Sequence, residues 1–150
     1  MPRFEYGRNI FVRSAAEVDD LVDLIAESQD DAVSVISIAS PDADGSPRLS
    51  RAHRVLRLTF DDDEPGYDAI YPDGRHAILI DADTARAIAV FADTAPGPVI
   101  VNCQGGVSRS AAVAAALIRA HGGDDGIIWK TKCPNAYVYR LVLEAAMSER

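Results

Sequence analysis

Residues 97–123, GPVIVNCQGGVSRSAAVAAALIRAHGG, constrain the fold more than any other stretch. Val99, Ile100 and Val101 form an apolar run with no polar alternation. That is the pattern of a strand covered on both faces, as in a parallel sheet. After a short glycine-containing loop, Ala111 to Ile118 is apolar nearly all round, which only a buried helix tolerates. The glycine pair Gly122–Gly123 ends that helix. A doubly covered strand feeding a buried helix belongs in the interior of an α/β domain.

The flanking sequence repeats the alternation. Ile10–Val12 reads as a short strand. Ser14 and Glu17 are spaced as a capping box before a helix near 14–28, with Leu21, Val22, Leu24 and Ile25 at helical spacing. AVSVISIAS is β-branched and alternating, a strand near 32–38, and PDADGSP is a loop. HRVLRLTF is a third strand, stopped by DDDEPG. Residues 67–80 are ambiguous: YPDG is a turn, and HAILI is either a strand or a lead-in. DADTARAIAVFADTA is a helix with acidic residues in its first turn, which suits the helix dipole. Pro134 and Asn135 precede a last helix, AYVYRLVLEAAM. The expected architecture is α/β, a single domain over residues 1–150, with a central, mostly parallel twisted sheet and helices on both faces.

Composition narrows the partners. The formal net charge of −8 disfavours nucleic acid or anionic membrane, both of which need a basic surface. Two cysteines, Cys103 and Cys133, make no disulfide framework, so a reducing compartment is the simpler reading. MPRFEYGRNI shows no apolar signal segment, and no apolar run approaches the ~18 residues of a membrane span. A cytoplasmic location is expected. His53, His76 and His121 lack metal-ligand spacing, and neither GxxxxGK[ST] nor GxGxxG occurs.

The chemistry concentrates in NCQGGVSRS, residues 102–110. Cys103 ends the strand, five residues follow, and Arg109 opens the helix. The first N–H groups of a helix have no internal partners, and with those of Gln104, Gly105, Gly106, Val107 and Ser108 they can cradle an anion. Gly105 and Gly106 let the backbone turn tightly. The helix end and Arg109 both favour thiolate, in surroundings that bring cysteine pKa values to about 3.5–7.5. Arg109 can grip two phosphate oxygens, and Ser110 can donate a hydrogen bond to the sulfur. A thiolate beneath a bound phosphoryl group is a nucleophile for phosphoryl transfer.

NCQGGVSRS resembles the Cys-x5-Arg-Ser/Thr signature of the cysteine-dependent protein tyrosine phosphatases, in particular the small dual-specificity branch. Gly106, Ser108 and Ser110 also match the branch's C-x-x-G-x-S-R-S form. The likeness extends over residues 55–145, and CPNAYVYRLVLEA resembles the PN-x-x-VYR tails of small bacterial and phage phosphatase-like proteins. It implies a dual-specificity-phosphatase-like fold and a protein phosphatase. The expected substrate is phosphotyrosine, with phosphoserine and phosphothreonine also in reach, hydrolysed through a phosphocysteine. Cys103 would be the nucleophile, Arg109 the phosphoryl ligand and Ser110 the partner of the thiolate. The amides of Gln104 to Arg109 would form the cradle. The family draws its general acid from an Asp upstream, and LTFDDDEPG stands in that place. Asp62 fits the F-x-D pattern, with Asp61 and Asp63 as alternatives. No cofactor or metal is implied. The partner is a phosphorylated protein or a small phosphomonoester. Asn102 stands where the family usually has His, and so a second reading is a phosphate-binding pseudophosphatase without turnover. Low-molecular-weight phosphatases and arsenate reductases carry the loop near the N-terminus, and a rhodanese-like fold does not explain the acidic segment. Cys133 reads as a structural or surface thiol, and Trp129, Tyr137 and Tyr139 as core or rim aromatics.

Overall fold

Four strands, β1 (Ile10–Ser14), β2 (Ser34–Ala39), β3 (Arg54–Thr59) and β4 (Val99–Cys103), form one parallel sheet in the order β1-β4-β2-β3. The computed structural model describes residues 2–28, 32–43, 45–66 and 70–149. The helices are α1 (Val18–Ser28), α2 (Ala82–Asp93), α3 (Arg109–Ala120), α4 (Gly126–Thr131) and α5 (Ala136–Ser148).

β4 lies inside the sheet because it is the strand with no polar face to offer water, and all five of its residues are buried. β3 is an edge strand, and its exposure alternates along its length. The alternation of side chains sorts the core into two layers. Val99, Val101, Cys103, Ile36 and Ile38 join the cluster packed by α2, α3, α4 and α5. Ile100, Val35 and Val33 join the smaller cluster of α1, with Leu49. Helices therefore cover both faces, as the sequence pattern implies. Eleven residues of α3, among them every alanine, are buried, so its lack of a polar side is explained by position. Among the described residues no helix is long and apolar enough to cross a membrane.

Three local readings change. α1 starts at Val18 rather than Ser14. The Ser14 N–H does reach the Glu17 carboxylate at 3.3 Å, but the Ser14 hydroxyl donates to that same carboxylate at 2.8 Å instead of accepting from the Glu17 N–H. The pair thus makes a turn ahead of the helix. The six-residue α4 was not anticipated. The ambiguous stretch contains no strand among its described residues: Ile70 and His76 form a single antiparallel bridge, and residues 67–69 lie outside the described ones.

That stretch is fastened by Asp61. The Asp61 side chain is buried and accepts from Arg75 Nη1 at 2.8 Å, from Arg75 Nη2 at 3.2 Å and from the Ile78 N–H at 2.8 Å. Its main-chain N–H donates to the Ile78 carbonyl at 2.7 Å. Tyr71 lies under the Arg75 guanidinium, 4.2 Å from it, and donates its hydroxyl to Asp63 at 2.9 Å. Burial and the Asp63 bond push the Tyr71 pKa up to about 12, so it remains a donor. Burial alone would raise the Asp61 carboxyl. The hydrogen bonds and charge of Arg75, with the Ile78 N–H, outweigh burial and hold it below its ordinary 3.8.

A depressed folded-state pKa stabilises the native state above the unfolded value, and that stabilisation is lost as pH falls through the folded value. Asp61→Asn should therefore cost about 1–3 kcal/mol at neutral pH, the worth of charged hydrogen bonds. In urea unfolding the gap to wild type should narrow as pH drops below 3.8. A gap that stays constant down to pH 2 would remove Asp61 from this role.

Candidate active site

The loop between β4 and α3 is shaped by where its carbonyls go. The Gln104 carbonyl accepts from the Ala15 N–H at 3.2 Å, and the Val107 carbonyl accepts from the Cys133 N–H at 3.1 Å. The Ser108 carbonyl accepts from the Asn135 N–H at 3.2 Å and from the Ala112 N–H at 2.9 Å. The Gly106 carbonyl accepts from Lys132 Nζ at 3.1 Å. Among the described residues no peptide bond is cis. In a trans peptide the N–H of the next residue points opposite to the carbonyl. With four carbonyls turned into the surrounding protein, the N–H groups of Gly105, Val107, Ser108 and Arg109 face the other way, into the concave side of the loop. Gly106 and Ser110 direct their N–H groups to the Cys103 sulfur.

Gly106 is the hinge of this arrangement. Its φ is +69°, and a Cβ there would stand 2.6 Å from the Ser14 nitrogen and 2.7 Å from the Arg13 carbonyl carbon. Gly105 has no such constraint, since its nearest side-chain neighbour would be the Val107 methyl at 4.0 Å. Of the two glycines expected to matter, only Gly106 is required by geometry.

Cys103 is 2% exposed and lies 3.0 Å from Ser110 Oγ. Burial pushes its thiol up. The Ser110 hydroxyl, the Ser110 and Gly106 N–H groups and the charge of Arg109 together outweigh burial and hold the thiol below its ordinary value. Arg109 is 5% exposed. Its Nη1 donates to the Phe60 carbonyl at 2.7 Å and to Ser40 Oγ at 3.0 Å. Its Nε has no partner. Among the described residues no carboxylate comes within ion-pair distance of Arg109. A buried cation without a carboxylate is costly unless an anion is near. Here the charge of Arg109 favours ionisation of Cys103 and suits an anion in the loop.

The three aspartates separate cleanly. Asp61 is locked away by Arg75 and Ile78, as described above. Asp63 is occupied by Tyr71. Asp62 is exposed, and its Oδ1 accepts from Ser108 Oγ at 2.8 Å and from Asn135 Nδ2 at 2.9 Å. The Ser108 side chain thus reaches from the loop to Asp62, a link that the sequence does not announce. Gln104 and Val107 are exposed at the rim. Asn102, 1% exposed, lies on the α1 face of β4, opposite to Cys103, and neither atom of its side-chain amide has a partner.

The structure therefore gathers Cys103, Arg109, Ser110 and Asp62 at one end of the sheet. It adds Ser40, the Phe60 carbonyl, Lys132 and Asn135, which the sequence reading did not place at the site. For Asn135 a signal existed, since an Asn after Pro at the start of a helix is a strong N-cap. For Lys132 there was none. Cys133 is exposed, in the chain segment that holds the loop from outside.

Solved structures that resemble this arrangement of elements include two dual-specificity phosphatases. Human DUSP28 superposes with a TM-score of 0.53 at 18% identity, over 94% of this chain and 93% of that one. A mouse putative dual specificity phosphatase, solved in complex with zinc tungstate, superposes with a TM-score of 0.50 at 19% identity, over 93% of this chain and 83% of that one. The chain has the dual-specificity-phosphatase fold. No family model and no curated protein matches the sequence.

Gly106→Ala should lose about 1–3 kcal/mol from backbone strain alone, whereas Gly105→Ala should stay within about 0.5 kcal/mol of wild type. Chemical denaturation of the pair checks this, and equal effects would mean that the loop does not press on β1. The thiol makes a separate prediction. At pH 6 iodoacetamide should alkylate Cys103 faster than the exposed Cys133, and vanadate should protect it. Equal slow labelling would mean that the thiol is not held down.

Proposed function

We propose that this protein is a cysteine-dependent phosphatase of the small dual-specificity type, hydrolysing phosphotyrosine, and within reach also phosphoserine and phosphothreonine, through a phosphocysteine. The observation that carries the reading is the pairing across one loop. A buried thiol held down by Ser110, Gly106 and Arg109 sits at its base, and an exposed carboxylate, Asp62, is fixed to it through Ser108.

The phosphoryl group enters the concave side of the loop. Its oxygens take the N–H groups of Gly105, Val107, Ser108 and Arg109 and the unpartnered Nε of Arg109. These donors are in place before the reaction, so no reorganisation is needed as charge builds. The Cys103 thiolate attacks phosphorus, a P–S bond forms, and the P–O ester bond breaks. The departing oxygen takes a proton from Asp62. Both donors on Asp62 occupy Oδ1, which leaves Oδ2 as the oxygen that carries the proton. The leaving group lies beside Asp62, where a cavity of about 380 Å³ is lined by Asp62, Asp63, Glu64, Asn135 and Ala136. In the second half a water attacks the phosphocysteine, Asp62 accepts its proton, and the P–S bond breaks to release phosphate. The Ser110 hydroxyl donates to the sulfur as it leaves as thiolate.

The pseudophosphatase reading rested on Asn102. That side chain faces away from Cys103 and bonds to nothing, while the loop is tied by Ala15, Lys132, Cys133 and Asn135. No observation at the site favours it over turnover. The PN-x-x-VYR pattern of the C-terminal helix supports a place in the bacterial and phage branch.

Turnover of a phosphotyrosyl peptide by wild type beside Cys103→Ser tests the proposal, and activity that survives in Cys103→Ser would sink it. The acid is tested by leaving group. Asp62→Asn should lose about 10²–10⁴-fold on phosphotyrosine, the usual reach of general acid catalysis, and far less on p-nitrophenyl phosphate. Asp63→Asn should change both rates by only several-fold. A steep leaving-group dependence in Asp63→Asn instead would move the acid by one residue.

A further inference from the structure

The four residues from Lys132 to Asn135, joining α4 to α5, clasp the site from outside. Three of the loop's carbonyls, those of Gly106, Val107 and Ser108, are held by Lys132 Nζ and by the N–H groups of Cys133 and Asn135. Asn135 goes further. Its Nδ2 donates to Asp62 Oδ1 at 2.9 Å and to the Asp63 carbonyl at 3.2 Å. Its Oδ1 accepts from the Val138 N–H at 3.0 Å and so caps α5. The orientation of the amide follows from chemistry: turned over, it would set an oxygen against two acceptors and a donor against an N–H. One residue therefore bonds the anion loop through its main chain, the aspartate segment through its two amide hydrogens, and α5 through its carbonyl.

Asp62 has few other ties. Its neighbours Asp61 and Asp63 are fixed on the far side, by Arg75 and by Tyr71. Among the described residues its own carboxylate is held by Ser108 and Asn135 alone, both at Oδ1. An exposed carboxylate on a surface segment samples many rotamers unless something fixes it. Two hydrogen bonds accepted by one oxygen fix its direction and leave Oδ2 free.

We propose that Asn135 is a positioning residue that latches Asp62 to the anion loop, so that the proton donor stands in place before substrate arrives. The kinetic part of this inference rests on the phosphatase reading above; the structural part does not. The latch makes proton delivery depend on a residue that touches neither phosphorus nor the leaving oxygen.

Two variants separate the latch from the helix cap. Asn135→Ser and Asn135→Asp both keep an oxygen for the Val138 N–H, since Ser, Asp and Asn cap about equally well, and neither offers the paired amide donors. Hydrogen exchange is measured at the amides of residues 61–64, with the melting temperature followed in parallel. Exchange there should quicken about fivefold, the equilibrium worth of one hydrogen bond, while the melting transition holds. In the same variants turnover of phosphotyrosine should fall about tenfold or more, within the about 10²–10⁴-fold that a general acid contributes, and p-nitrophenyl phosphate should stay within about threefold. Asn135→Asp, which sets a like charge beside Asp62, should also shift the acid limb of the pH–rate profile, whereas Asn135→Ser should lower the rate on phosphotyrosine without that added charge effect. Wild-type exchange at 61–64 in both variants overturns the latch, as does an equal loss on the two substrates. If wild type shows no Cys103-dependent turnover, the phosphatase reading falls, and the exchange measurement alone decides the latch.

Discussion

The geometry of the trans peptide underlies the whole site. A short loop can line a cavity with N–H groups only if its carbonyls have somewhere else to go, because the two point in opposite directions across each peptide. Here they go to Ala15 after β1, to Lys132 and Cys133 after α4, and to Asn135 at the head of α5. These groups lie far apart in sequence, and the fold brings them to the one end of the sheet where β4 gives way to α3. The tight passage of Gly106 against β1 is a consequence of the same crowding. The shape of the loop is less a property of nine residues than of the two connections packed around them, β1 to α1 and α4 to α5.

The charge arrangement follows. A thiol that is nearly fully buried should resist ionisation, and burial does push Cys103 upward. The opposing influences are all local to the turn into α3: the Ser110 hydroxyl, two main-chain N–H groups and Arg109. Arg109 is held from behind by uncharged acceptors, the Phe60 carbonyl and Ser40 Oγ. A carboxylate in their place would have neutralised the guanidinium and taken its charge away from the sulfur and from any bound anion. Neutral anchors fix the position of the cation while leaving its charge to act on the site. The same distinction divides the aspartates. Asp61 neutralises Arg75 in the fold, and Asp62, held by neutral donors, keeps one oxygen free.

How much of this could be read in the sequence depended on how local the cause was. The β4–loop–α3 unit was legible because its pattern, doubly buried strand then all-round buried helix, is written in consecutive residues. Cys103, Arg109 and Ser110 stand in the same run, and the structure brings the three side chains together. The choice among the three aspartates was only half legible. Spacing from Phe60 favoured Asp62, but what removes Asp61 is Arg75 and the Ile78 N–H, fourteen and seventeen positions away. The start of α1 was misjudged because Ser14 serves the strand end and the turn rather than the helix. α4 was missed because six residues opening on a glycine carry too little periodicity to be seen. The glycine pair looks like one feature in the sequence, yet a φ of +69° and contact with β1 set Gly106 apart from Gly105.

Asn102 shows the limit of carrying a motif across residue by residue. In a strand adjacent side chains point to opposite faces, so position 102 cannot share the environment of Cys103. Its Cα partners are Arg13 on β1 and Ser37 on β2, and its amide is buried with neither atom bonded. The carbonyls that a side chain at this end of β4 could help to orient are already oriented by Ala15, Lys132, Cys133 and Asn135. The order of the loop therefore comes from the connections on its outer side and not from the Asn102 side chain.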